Sequence, residues 1–192
     1  MPRRSYDMTR RAAAAGATTE RIAAVTEVLL VEGPAAAVTL QFVVDRAGIT
    51  VQTVLRHMGS REGCIAAVRE RFVARIDAHR AHTPPGDIDA AIAGLLAHYE
   101  ADGRLVLNLL AQESSDPLAR EAAAGGRAYH RAWVKRCFGP RLGVGDPEIA
   151  VDAFVAATDL YVWKLLRLDL GRSAEVTSVV IAGLVRAVLE RT

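Results

Sequence analysis

The sequence predicts an all-α protein of about nine helices in two parts, a small basic part followed by a longer acidic one. Three observations lead there. Aliphatic residues and alanine dominate a hydrophobic content of 51%, aromatics make up only 5%, and glycine and proline gather at intervals between long segments. Within those segments apolar residues recur at i, i+3, i+4 and i+7, the signature of helices with one buried face. Charge is also divided: up to Arg75 there are 11 arginines against 7 carboxylates, a surplus of +4, whereas the rest holds 13 basic and 15 acidic residues, or −2. With 192 residues the chain can bury a substantial core.

The first 17 residues, rich in arginine and alanine, are expected to form a flexible basic arm. Arg3, Arg4, Arg10 and Arg11 could follow a phosphate backbone or enter a minor groove, or could serve only to solubilise the chain. Helix one is expected from near Thr18 to Glu32, with Ile22, Val25 and Leu29 inward, and Gly33-Pro34 ends it. Thr39 can cap a second helix whose inner stripe is Leu40, Val43, Val44 and Ala47, and Gly48 stops it. Ile49 fills the corner, Thr50 caps the next short helix, and Val54 and Met58 fasten that helix down. Its outward face is left with Gln52, Thr53, Arg56 and His57, side chains able to meet base edges and phosphate oxygens. Any solvated helix face is polar, so it is the arrangement as a whole that reads as a helix-turn-helix. With Thr39, Thr50 and Arg61 at the helix starts, these residues form the candidate DNA-binding set. Gly59 closes the recognition helix, and Ser60 with Glu62 starts a long fourth helix carrying Ile65, Val68, Phe72 and Ile76, broken at Thr83-Pro84-Pro85-Gly86.

The segment from Arg21 to Val68 resembles the DNA-binding region of TetR-family transcriptional regulators. The matching points are Arg21-Ile22, Gly33, Thr39, Val43-Val44, Ala47-Gly48-Ile49-Thr50, Thr53, His57 and Ser60-Arg61-Glu62, about a quarter of the chain. The resemblance implies an operator-binding homodimer whose second half holds an effector and the dimer interface. Four positions depart from the family pattern. Leu55 replaces a phosphate-binding tyrosine, Met58 a phenylalanine, Gln52 a frequent glycine, and Arg61 a lysine. Losing the tyrosine hydroxyl removes a backbone contact that Arg56 could replace, Met58 is a volume-tolerant swap, and Arg61 keeps the charge.

Residues 18–63 are therefore expected to be the DNA-binding domain and 64–192 a helical effector-binding and dimerisation domain. Breaks at Asp102-Gly103, Ser114 to Pro117, Gly139 to Pro147 and Gly171 to Ser173 divide the second half into helices near 87–101, 104–113, 117–138, 147–170 and 173–190. Asp116-Pro117 and Asp146-Pro147 each place a cap before a first-turn proline. Leu105, Val106, Leu107, Leu109 and Leu110 are apolar nearly all round and predict a deeply buried segment. Phe154, Val155, Thr158, Val162, Leu165 and Leu166 form one apolar face, and Val176, Val180, Gly183, Leu184, Ala187 and Val188 another. Together these two faces are expected to supply half of a four-helix dimer interface, an ordinary intramolecular pair being the alternative.

Aromatics are few and concentrated in the second half. Tyr99, Tyr129, Trp133 and Trp163, with Leu109, Glu113 and Asp159, form a candidate binding set for a small apolar or aromatic effector, although core packing would explain any one of them. Tyr161 belongs with these aromatics, and His98 and His130 are further polar companions. An effector that binds the DNA-incompetent state ~100-fold more tightly would supply ~2.7 kcal/mol of coupling, transmitted by tilting helix four. Two such subunits would present recognition helices ~34 Å apart to a roughly palindromic operator, and repression is the expected sense.

No enzyme is expected. The sequence has no Glu-x-x-His, G-x-S-x-G, P-loop or G-x-G-x-x-G motif, and Gly143-Val144-Gly145 lacks the third glycine. His79 and His82 at i, i+3 read as solvated histidines rather than metal ligands, and neither metal nor cofactor is expected. Cys64 and Cys137 are separate thiols outside any C-x-x-C pair. The opening MPRRSYDMTRR lacks an apolar signal region, and no apolar run approaches a membrane span, so a cytoplasmic protein is expected. A helical protein that binds small molecules or partners, with weak or lost DNA binding, is the alternative.

Overall fold

A computed structural model describes residues 3–142 and 146–191, with side chains described from residue 13 onward. Gly143-Val144-Gly145 lies outside the described residues. Among those residues the chain is all-α, with nine α-helices and no strand, in two compact units divided after Val73.

The first unit contains α1 (Arg3–Glu32), α2 (Leu40–Ala47), α3 (Val51–Met58) and most of α4 (Arg61–Ile76). Helix α1 begins well before Thr18. The run Ala12 to Ala15 is made of the strongest helix former, and the helix continues through the segment expected to be a flexible arm. The side chains of Arg3, Arg4, Arg10 and Arg11, and with them the expected phosphate contacts, fall outside the described residues. Gly33 N–H closes α1 on Leu29 O at 3.0 Å, and a short 3-10 turn, Ala35–Ala37, follows Pro34. Ile22, Leu30, Val43, Val54, Cys64 and Val68 make the core, while Val25 and Leu29 are only half-buried. Thr26 is buried too, its hydroxyl satisfied by Ile22 O at 2.8 Å. The early turns of α4 belong to this unit because Cys64 and Val68 are buried in its core and Arg71 pairs with Glu20 and Glu27 of α1. That is why the division falls after Val73 rather than after residue 63.

The second unit opens with a π-helical turn, Asp77–Ala81, continuing α4, and then α5 (Ile88–Ala111), α6 (Pro117–Phe138), α7 (Pro147–Ala157), α8 (Leu160–Lys164) and α9 (Ala174–Leu189). The acidic caps act as their spacing predicts. Asp116 accepts from Leu118 N–H at 2.8 Å and Ala119 N–H at 3.0 Å, and Asp146 from Glu148 N–H at 2.9 Å, each just before a first-turn proline. Phe138, Phe154, Leu95, Ile181 and Val185 form the centre of the core.

Within the second unit two predicted boundaries differ. Helix α5 runs unbroken through Asp102-Gly103, because Asp102 is buried against Arg75, whose Nε donates to Oδ1 at 2.9 Å, and Gly103 lies under the Trp163 ring. Neither residue is free to form a turn. The helix expected over 147–170 instead ends at Thr158, where Asp159 accepts from Tyr161 N–H at 2.8 Å and caps a new start. A second π-helical turn, Leu165–Asp169, completes that segment.

Burial also redistributes the expected faces. Of the apolar run on α5 only Leu105 is buried, and Val106, Leu107, Leu109 and Leu110 are half-exposed. The break at Thr158 turns Phe154, Thr158 and Leu166 into the core, so the outward apolar side chains of that segment are Ile149, Tyr161, Leu165 and Leu170. On helix α9, Thr177, Ile181 and Val185 face inward, with α5 and α7 as its main neighbours; of the expected stripe Val176, Val180, Gly183, Leu184 and Ala187 are outward, with Val179 71% exposed, while Val188 is half-buried against the core. Among the described residues no helix is long and apolar enough to cross a membrane.

A Cβ on Gly103 would lie 2.6 Å from the Trp163 ring, which is 3% exposed and anchored by its Nε1–H to Glu100 Oε1 at 2.8 Å. The indole has nowhere to go. Gly103→Ala is therefore expected to destabilise the second unit by ~1–3 kcal/mol in urea titrations, despite the better helix propensity of alanine.

Candidate functional site

The first unit builds its candidate surface from two capped helices. Thr39 Oγ1 accepts from Phe42 N–H at 3.2 Å to start α2, and Gly48, at φ 62°, turns the chain left-handed at its end. Thr50 Oγ1 accepts from Thr53 N–H at 3.2 Å to start α3, and the two threonine hydroxyls are themselves 2.9 Å apart. Val54 is fully buried, so α3 is pinned by one face and offers the other.

Gln52 and Arg56 are exposed on that offered face, and among the described residues Arg56 pairs with no carboxylate. Thr53 and His57 are half-buried, with His57 Nδ1 3.1 Å from Thr19 Oγ1. Arg61 is directed inward: its Nε donates to Val38 O at 2.6 Å, its Nη2 to Ala35 O, and its Nη1 contacts Glu62 at 3.3 Å. It therefore holds the turn between α1 and α2, which leaves Arg56 as the better placed cation for a phosphate. Three exposed apolar side chains also stand on the first turn of α2 and on α3, Phe42, Val51 and Leu55, with Phe42 56% exposed, and of these only Leu55 stands out in the sequence. Phe42 lies off the Leu40-Val43-Val44-Ala47 stripe, and that offset was the available signal.

The second unit brings together part of the expected effector set around a residue that the sequence did not single out. Arg80, in the π-helical turn, is 2% exposed. Its guanidinium carbon lies 4.1 Å over the Trp133 ring and 5.3 Å over the Tyr129 ring. Nη2 contacts His130 Nδ1 at 2.8 Å, and Nη1 contacts His98 Nδ1 at 3.4 Å. No carboxylate among the described residues pairs with it. The turn can pass this close to α5 because Gly94 has no side chain: a Cβ there would meet His79 O at 2.3 Å. Arg136 donates to Arg80 O at 2.7 Å and Thr83 O at 2.6 Å, fixing the backbone on either side of the turn's end. Asp77, three residues before Arg80, suggests a solvated pair when the sequence alone is read, so the sequence points away from burial.

Hydrogen-bond logic assigns the tautomer of His130. Thr158 donates its hydroxyl proton to Phe154 O at 2.6 Å, so its oxygen receives Nε2–H of His130 at 3.1 Å, leaving the Nδ1 lone pair for Arg80. Burial first, and the nearby Arg80 charge second, push both His98 and His130 down to about 3. Burial likewise lowers the guanidinium of Arg80 and raises the phenol of Tyr99, whose O–H donates to Thr158 O at 2.9 Å. An unpaired charge in such a place costs several kcal/mol, of which cation–π contacts and charge-assisted hydrogen bonds recover part. Arg80 Nε and Trp133 Nε1 remain buried without a hydrogen-bond acceptor.

Tyr99, Tyr129 and Trp133 thus belong to one cluster, and Trp163 adjoins it through Tyr99 at 6.1 Å between ring centres. The other three expected residues are engaged elsewhere. Asp159 caps α8, Glu113 pairs with Arg127, and Leu109 is half-buried near the end of α5. Among the described residues no three His, Cys, Asp or Glu side chains gather as a metal site. No protein-family model matches the chain, and no characterised protein matches it in sequence.

The two histidines give the second unit a pH dependence of known sign. Each titrates near 6.5 when unfolded and about 3 when folded, so between those values the unfolded chain binds more protons and stability falls as pH falls. The slope should reach up to ~1.4 kcal/mol per pH unit for each histidine. Urea titrations from neutral pH to about pH 5 should show this loss, with His98→Gln and His130→Gln each flattening it.

Proposed function

We propose that the chain is a homodimeric, ligand-responsive transcriptional regulator of the TetR type, acting in the cytoplasm, that holds a roughly palindromic operator and releases it when a small apolar or aromatic effector binds. The observation that carries the reading is the pair of short capped helices joined at Gly48, with α3 pinned through Val54 and presenting Gln52 and Arg56 outward. Such a helix, placed in a major groove by a symmetry mate, reads bases with amide side chains and phosphates with guanidinium groups. The exposed α9 stripe of Val176, Val179, Val180 and Leu184 is the natural surface for that symmetry mate. The aromatic cluster around Arg80 supplies the effector end, and it is joined to the DNA end through α4, whose last turn runs directly into the π-helical turn.

Phe42, Val51 and Leu55 favour a second reading, in which α2 and α3 dock an apolar protein surface in place of DNA. Mobility shifts with fragments of the source genome separate the two. Sequence-dependent retardation at low salt is expected, Gln52→Ala costing ~1–3 kcal/mol at particular base pairs and Arg56→Ala weakening all sequences while lowering the salt slope by about 1 per subunit. Absence of any sequence-dependent shift would favour the protein-docking reading. Val179→Asp should convert the dimer to monomer in sedimentation equilibrium without loss of helix content, and unchanged dimerisation would remove α9 from the interface.

A further inference from the structure

We infer that the buried cluster around Arg80 is a binding site for a small organic carboxylate, an acid with an apolar or aromatic body. The inference builds on the proposed effector site and gives its ligand a charge. Arg80 is 2% exposed, carries a full positive charge, and has no carboxylate partner among the described residues. Its hydrogen-bonding partners bring no negative charge either: His98 and His130 meet it through neutral lone pairs, Arg136 adds a second cation beside it, and the nearby carboxylates, Asp77 and Asp159, act on the Tyr129 and Tyr99 rings rather than pairing with the guanidinium.

A guanidinium serving only as scaffold would be expected to have an acceptor at each of its three nitrogens, as Arg61 does in the first unit. Arg80 instead keeps an Nε–H with no acceptor, and Trp133, whose ring lies under the guanidinium at 4.1 Å, keeps an equally buried Nε1–H. Each Nη also has a second hydrogen, so an edge of the guanidinium can take two carboxylate oxygens in the forked geometry that this group favours. The rings of Tyr99, Tyr129 and Trp133 surround the group with apolar surface for the rest of the ligand, and Tyr129 is the half-buried one of the three. An aromatic or aliphatic acid satisfies both requirements, a counter-charge and an apolar body. A neutral hydrocarbon would leave the charge unanswered, and an inorganic anion would leave the rings unused.

The test uses the full chain without DNA and a panel of acetate, butyrate, benzoate, phenylacetate and indole-3-acetate, each beside its carboxamide, with chloride at matched ionic strength. Binding is read by thermal shift and by tryptophan emission, to which Trp133 contributes directly. At least one acid should raise the melting temperature and bind about tenfold or more tighter than its amide. Arg80→Met should stay folded, melt no lower than the ligand-free parent, and lose the preference for acid over amide; Arg80→Lys, charged but without the fork, should retain only part of it. The inference is overturned if no acid outperforms its amide, if chloride gives the same response, if Arg80→Met keeps the preference, or if both variants lose the cooperative melt. Acid binding by a chain that shifts no DNA would sink the regulator reading and leave this one standing. DNA binding by a chain indifferent to every acid would do the reverse.

Discussion

A positive charge held away from water with only neutral partners is the constraint from which the polar architecture of the second unit follows. Arg80 can stand there because its guanidinium is flat, stacks on indole and phenol rings, and finds two imidazole lone pairs. Those imidazoles must stay neutral, since an imidazolium would point a proton at the guanidinium. Thr158 enforces this for His130 by receiving Nε2–H, and Thr158 itself sits where α7 ends. The break in that helix and the tautomer of the histidine are therefore parts of one arrangement. Gly94 belongs to it as well, because the turn that carries Arg80 needs the space a side chain would take.

The first unit is organised by a different economy, in which short polar groups terminate short helices. Thr39 and Thr50 each satisfy an early N–H of an eight-residue helix that would be marginal by itself, and Val43 and Val54 anchor those helices in a common core. Arg61 then fastens the Ala35–Val38 turn by donating to two carbonyls. What is left outward on α3 is small and well defined, an amide at Gln52, a cation at Arg56 and two apolar side chains at Val51 and Leu55. The surface is less basic than a charge count suggests, because Arg46, Arg61 and Arg71 all meet carboxylates or carbonyls within the unit.

Local signals carried most of the fold. Caps next to proline, glycine at helix ends and apolar periodicity depend on neighbours in sequence, and they located α2, α3, α6 and α9 closely. Tertiary contacts decided the rest. Asp102-Gly103 has turn composition but stays helical because Arg75 and Trp163 press on it from distant parts of the chain, and 147–170 has helical composition but breaks where Asp159 caps a new start. The candidate sites divide in the same way. The outward face of α3 follows from its own periodicity, whereas the Arg80 cluster is assembled from four segments, and an arginine three residues after Asp77 carries no local sign that it will be buried.

The most direct measurement of this account is the nitrogen NMR of the side chains in ¹⁵N-labelled protein. His130 should appear as the neutral Nε2–H tautomer, with its Nδ1 shifted by a hydrogen bond from Arg80, and should remain neutral as the solution is brought to about pH 5, as should His98. Imidazole signals that instead titrate near the ordinary value of 6.5 would place Arg80 and the two histidines apart in solution and contradict the account.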